Sequence, residues 1–212
     1  SDWVIITGYE SGGNTLLGSS PYGGPNRFRG YDVIEDWHGR TREYLTLGAK
    51  CEALPLPLVY TEALHLAVQL VRTPEIGGRY AGLKAYEVLA TTLRNPKFAQ
   101  EVEREDNGLW FRYLCVLCYN MMLDDHTSAA PFLRDAAQAL PEGRTELLLA
   151  AEGYERSCEL RNRLEDILKS DFSQEAQQQL LYPEVREQYA QTLLEIRDSD
   201  AQAVSHICLL YT

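Results

Sequence analysis

The feature that most constrains this chain is the run Leu54-Pro55-Leu56-Pro57. Proline lacks a backbone N–H and biases the residue before it away from helix. Two prolines one residue apart therefore read as extended backbone, with no helix passing through them. The hydrophobic pattern differs on the two sides of this run. Ahead of it, apolar residues recur with a period of about two, and nine of the 15 glycines fall in residues 1–50. Behind it, the period is about 3.6. The pattern predicts an α+β chain. A small antiparallel β-sheet is expected in residues 1–53, followed by a large all-α helical domain in residues 58–212 with about six helices.

In the front part, Val4-Ile5-Ile6-Thr7 is a β-branched run and predicts a strand. Ser11-Gly12-Gly13-Asn14 is a turn signal, and Thr15-Leu16-Leu17 reads as the return strand of a hairpin. Residues 19–30 hold two prolines and three glycines and read as an irregular loop. Two more strands are expected at 31–37 and 44–47, with Gly39 in the link between them.

In the rear part, Thr61 reads as the N-cap of a helix over 61–73, with Ala63, Leu64, Ala67, Leu70 and Val71 facing inward. A second helix is expected over 80–93, with Leu83, Tyr86, Leu89, Ala90 and Leu93 on one face, stopped by Asn95-Pro96. Residues 109–123 are apolar nearly all round, which predicts the buried centre. A fourth helix is expected over 127–140, with Pro131 in its first turn. A long fifth, 145–168, carries Leu148, Ala151, Tyr154, Cys158, Leu164 and Ile167 on its expected inner face. A sixth runs over 173–197, capped by Ser173 and kinked at Pro183, and the apolar segment 206–210 packs back onto the body. The chain shows no internal repeat.

The formal net charge is −11, and residues 51–212 carry −10 of it. A surface this negative repels phosphate backbones, so nucleic-acid binding is excluded; cationic partners are compatible with it. No apolar run reaches the roughly 18 residues of a membrane helix, so no membrane interaction is expected. The five cysteines, Cys51, Cys115, Cys118, Cys158 and Cys208, are odd in number and scattered. They make no disulfide framework, and a reducing, cytoplasmic compartment fits them better. The chain opens on Ser1-Asp2-Trp3 with no methionine and runs directly into a strand, so further residues are expected upstream.

Four constellations could carry chemistry. Cys115-Val-Leu-Cys118 has C-x-x-C spacing but lies mid-helix on an apolar segment. A redox thiol is activated at a helix N-terminus, and burial has the opposite effect, so two small core residues are expected. Glu62-Ala-Leu-His65 places a carboxylate and an imidazole on one helix face, but di-metal bundles need two such motifs and this chain has one. Asp124-Asp125-His126 could hold a cation or cap a helix junction, and the cap is preferred. Asp36, Trp37 and His38 close the third strand and either line a pocket or pack across a seam, as do Tyr9, Tyr22, Tyr31 and Tyr44. No metal and no cofactor are expected. Gly12-Gly13 leads into a strand rather than a helix, so a phosphate-cradling loop fails on context.

Val4-Ile5-Ile6-Thr7-Gly8-Tyr9-Glu10, a turn, and then Leu16-Leu17-Gly18-Ser19-Ser20-Pro21 resemble a recurrent piece of papain-like domains. The similarity is to bacteriocin-processing peptidases and butirosin-type acyltransfer proteins, and it covers about 20 residues. Gly82-Leu83-Lys84-Ala85-Tyr86 is also similar to uncharacterised relatives of that class. The resemblance implies that the sheet is half of a papain-like core. In that class a His acts as base, an Asp orients it and an upstream Cys attacks. Here the His position falls on Asp2 and the Asp position on Ser20. An aspartate cannot replace imidazole as a base near neutral pH without a large upward pKa shift.

The resemblance therefore implies a non-catalytic, peptidase-like protein that binds a small molecule, peptide or protein partner. Its cleft is expected near Asp2, Trp3, Ser20, Tyr22, Trp37 and His38, and a homo-oligomer is compatible with it. Two alternatives stand beside it. One is a cysteine-dependent hydrolase or acyltransferase whose nucleophile lies upstream. The other is a helical interaction scaffold.

Overall fold

The computed structural model describes residues 5–19, 27–28, 31–35, 37–40, 45, 48, 49, 52–104, 122–168 and 174–211. Contacts divide the chain into two compact units, Ser1–Glu52 and Ala53–Thr212. The architecture is α+β: an antiparallel sheet in the first unit and a large helical part in the second.

The first unit holds β1 (Ile5–Glu10), β2 (Thr15–Ser19), β3 (Arg27–Phe28) and β4 (Tyr31–Glu35), in sheet order β1-β2-β4-β3. Every neighbouring pair is antiparallel. The β1–β2 turn uses left-handed backbone at Ser11 (φ 53°), Gly12 (φ 66°) and Gly13 (φ 94°). Glycine enters that region without strain, which is why this tetrapeptide reverses the chain. The register shifts between Ile6 and Gly8, a bulge at Thr7.

The expected third strand ends early. After Glu35, Trp37–Arg40 forms a single helical turn, α1. The indole Nε1 of Trp37 donates to the Gly13 carbonyl at 2.8 Å, so the ring is held by the hairpin turn. Of the strand expected at 44–47, only Leu45 lies among the described residues, and it is not in a strand.

The second unit holds α2 (Leu56–Arg72), a two-stranded ribbon of β5 (Glu75–Ile76) and β6 (Arg79–Tyr80), α3 (Gly82–Arg94), α4 (Pro96–Arg104), α5 (Met122–Ala139), α6 (Arg144–Ile167), α7 (Gln174–Gln179) and α8 (Pro183–Cys208). The buried centre expected at 109–123 falls outside the described residues up to 121.

The prolines account for most departures from the expected helix ends. Pro57 does not block α2 but sits in its first turn, which starts at Leu56 rather than after Thr61. The first four N–H groups of a helix have no internal partner, so a proline there loses nothing. Asn95-Pro96 both ends α3 and begins α4: the Asn95 Oδ1 accepts from the Lys97 N–H at 3.0 Å, a side-chain cap, and Pro96 opens the helix. Pro183 likewise starts α8 instead of kinking a continuous helix, and residues 180–182 form the turn between α7 and α8.

Pro131 departs the other way. It lies inside α5 on an exposed position, not in a first turn. An interior proline costs about 3 kcal/mol. Ala130, Leu133, Ala136 and Ala137 bury themselves around it and offset that cost.

The core of this unit forms two apolar clusters. One is built from Leu93, Phe98, Leu160, Leu164, Tyr189, Leu193 and Ile196. The other gathers Leu64, Leu133, Ala136, Leu147, Ala150, Ala203 and Ile207. On α6, Ala151 and Leu164 are buried as expected and Leu148, Tyr154 and Ile167 pack at the edge of the core, while the buried face also takes in Leu147, Ala150, Ser157, Leu160 and Arg161. Where α6 crosses α8, Gly153 permits close approach, because a Cβ there would sit 2.9 Å from the Cβ of Ala203. Ser199 Oγ donates to the Gly153 carbonyl at 2.8 Å and locks the crossing.

Candidate functional site

The six residues expected to frame a cleft are only partly described. Asp2, Trp3, Ser20 and Tyr22 lie outside the described residues. Trp37 and His38 stand side by side, with ring centroids 3.8 Å apart and planes tilted by 31°. The indole donor is already used by Gly13, so Trp37 has a structural partner inside its own unit. Tyr9 is exposed on β1. Glu62 and His65 are both exposed on α2, and no group of three or more His, Cys, Asp or Glu among the described residues could hold a metal ion. The Cys115–Cys118 pair lies outside the described residues.

The polar groups of the helical unit converge elsewhere. Asp200 of α8 is 5% exposed, and its carboxylate accepts from three other helices. Ser157 Oγ of α6 donates to Oδ1 at 2.7 Å, and the Tyr86 hydroxyl of α3 donates to Oδ2 at 2.8 Å. His126 Nε2 of α5 lies 3.0 Å from both oxygens. A carboxylate has no proton to give, so Nε2 carries it. Tyr154 packs its ring 5.6 Å from that of His126. Burial pushes the Tyr154 phenol well above its ordinary range, and the Asp200 charge adds to this. This polar layer lies between the two apolar clusters along α6 and α8: Ser157 falls between Ala151 and Leu160, and Asp200 between Ile196 and Ala203.

His126 therefore does not cap a helix junction, as expected for Asp124-Asp125-His126. It lies inside α5, which is continuous from Met122, and serves as the imidazole partner of Asp200. The layer contains serine, histidine and aspartate, yet in the wrong order for nucleophilic catalysis. A triad needs the imidazole between hydroxyl and carboxylate. Here Ser157 donates directly to Asp200, with the Gly153 carbonyl as its other acceptor at 3.3 Å, and Ser157 is 0% exposed.

A second buried polar group, Arg186, is also missing from the sequence-based expectations. Its guanidinium donates to the carbonyls of Leu93, Leu180 and Leu181, each at 2.9 Å. It thereby satisfies the last turn of α3 and the turn after α7 with a positive charge, where the helix dipole favours one. Both omissions carried a signal. Tyr189, Leu193, Ile196, Ala203 and Ile207 form an i, i+3, i+4 apolar stripe, and Arg186 and Asp200 occupy positions within that same stripe. A charged residue on an apolar stripe is buried only when paired.

Cys158 is half-buried, and burial raises its thiol above the ordinary range, with the Arg161 charge opposing it. That is opposite to an activated nucleophile. An open groove of about 510 Å³ runs along α3 and α4, lined by Tyr80, Lys84, Glu87, Thr91, Lys97 and Glu101 among others. Lys84 and Glu87 form an exposed pair at 2.8 Å on its rim.

Among protein families, curated proteins and solved structures, no match to this chain was found. Among the described residues, no helix is long and apolar enough to cross a membrane.

Proposed function

We propose that this chain is a non-catalytic binding protein with a peptidase-like front, and that its helical unit takes a short peptide or small polar molecule along the α3–α4 groove. The observation that carries this reading is the way the reactive groups are spent. Among the described residues, His126 and Ser157 are both bonded to Asp200 and all three are buried, and burial disfavours the Cys158 thiolate. The groove, by contrast, is open. Its volume falls within the range of ligand sites, and it offers both signs of charge beside the aromatic ring of Tyr80. The resemblance of the first strands to a papain-like core, with Asp2 and Ser20 at the base and orienting positions, supports the non-catalytic reading.

Two measurements test it. Amide chemical shifts of the full chain, recorded against a panel of short peptides of mixed charge, should move along α3 and α4. Thr91→Arg, which fills the groove from an exposed position, should abolish the shifts. A thiol-reactive probe should find no cysteine of lowered pKa. A fast-reacting cysteine would replace this reading with the thiol hydrolase or acyltransferase.

A further inference from the structure

Four charged side chains line the α3–α4 groove, Lys84, Glu87, Lys97 and Glu101, and Val88 and the buried Phe98 belong to its apolar lining. The four charges are not equally engaged. Glu87 is committed through both oxygens: Oε2 accepts from Lys84 Nζ at 2.8 Å, and Oε1 lies 3.5 Å from Arg197 Nη1. Lys97 and Glu101 are exposed, and among the described residues neither side chain has an ion-pair partner. They stand at i and i+4 on α4 with the lysine first, the less favourable order for a pair within one helix.

The neutral polar groups of the lining divide by sign as well. The hydroxyls of Thr91 and Thr92 donate to the carbonyls of Glu87 and Val88, each at 2.8 Å. A hydroxyl has one proton, so both keep only lone pairs for a ligand. Asn95 Oδ1 accepts the Lys97 N–H at 3.0 Å, which leaves the amide NH2 of Asn95 to donate. The groove therefore offers acceptors at Thr91, Thr92 and Glu101, and donors at Asn95 and Lys97. A ligand of one charge answers only one of these sets. A ligand with an ammonium at one end and a carboxylate at the other answers both.

We infer that the groove takes a dipeptide by its two free ends, the carboxylate on Lys97 and Asn95 and the ammonium on Glu101, with apolar side chains against Val88 and Phe98. This inference rests on the reading of the α3–α4 groove as a ligand site. The length follows from the spacing on α4. Residues i and i+4 stand about 6 Å apart at their Cβ atoms. Two residues of extended chain span about 7 Å, so a dipeptide brings one terminus to each charge, whereas a single amino acid is about half that length.

The test titrates the full chain with four probes and reads the amide shifts of α3 and α4. The probes are leucyl-leucine, its N-acetyl form, its C-terminal amide, and leucine. Leucyl-leucine should give saturable shifts, and each of the other three should bind about tenfold more weakly or worse. Lys97→Met should weaken leucyl-leucine and abolish its advantage over the amide. Glu101→Gln should weaken it and abolish its advantage over the N-acetyl form. Both variants should unfold at the wild-type temperature, because both side chains are exposed. If the capped forms shift the same amides as tightly as the free dipeptide, or if either variant keeps wild-type affinity, the inference is overturned while the groove remains a ligand site. If leucine binds as tightly as the dipeptide, the matching of length is wrong and the inference falls. Absence of shifts from all four probes and from the mixed-charge peptides overturns both readings.

Discussion

Removing the Asp200 carboxylate should be among the most damaging single changes in the helical unit. In Asp200→Ala, the Ser157 hydroxyl, the Tyr86 hydroxyl and the His126 Nε2–H lose the acceptor they share. A hydrogen bond to a charged group contributes about 1.5–3 kcal/mol, and an orphaned buried donor costs about 1–3 kcal/mol. Three such losses in one place are not additive, because the side chains reorient. The expected cost is about 3–5 kcal/mol, against a total of about 5–15 kcal/mol for a typical domain. Tyr86→Phe removes one donor and leaves the carboxylate with two, so it should cost about 1–2 kcal/mol. Asp200→Asn should fall between these two, because one of its atoms presents a donor to a donor. Urea unfolding at neutral pH, followed by the helical circular dichroism signal, reads all three. The double variant Tyr86→Phe/Asp200→Ala should cost little more than Asp200→Ala alone, since the bond from Tyr86 to Asp200 is already gone. If Asp200→Ala costs less than about 1 kcal/mol, or if the two changes add, the carboxylate is not the acceptor that joins four helices.

Arg186→Met keeps the bulk of the side chain but strips three carbonyls of their donor, and should cost about 3 kcal/mol in the same assay, with Arg186→Lys recovering part. Stability should also fall in alkali. The folded state holds the Tyr154 phenol above its ordinary value of 10.0, so its contribution is fully present below that pH and is lost as pH rises beyond it. Tyr154→Phe should flatten this alkaline decline in a pH series of thermal melts. Cys158 should alkylate with iodoacetamide more slowly than the same cysteine in urea near pH 8.5, because burial raises its thiol and restricts access.

Much of the fold could be read from local chemistry. The glycine-rich turn at 11–14, the β-branched run before it and the 3.6-residue period behind the prolines each act within a few residues, where sterics and hydrogen bonding decide the outcome. The hairpin and α3 lie where these signals put them, to within a few residues. The proline signals were correct as punctuation but ambiguous in sense. The same residue that cannot stand in a helix interior is favoured in its first turn, and both Pro57 and Pro183 took the second role. Pro131 took the interior position because tertiary burial around it outweighs a local cost.

The amino-acid sequence by itself determined the α+β character, the break at the prolines, the acidic helical part and the apolar stripes. It also determined that α2 has apolar residues on two faces. Tertiary structure alone decided that the Tyr60, Leu64 and Val68 face is the one packed into the second apolar cluster. It also decided the partners of Asp200, which come from positions 43, 74 and 114 residues away in the chain. Periodicity reports which side of one helix is apolar, but it carries no information on the phase between helices. Whether a charge on an apolar stripe finds its donors depends on that phase, set by how the helices pack.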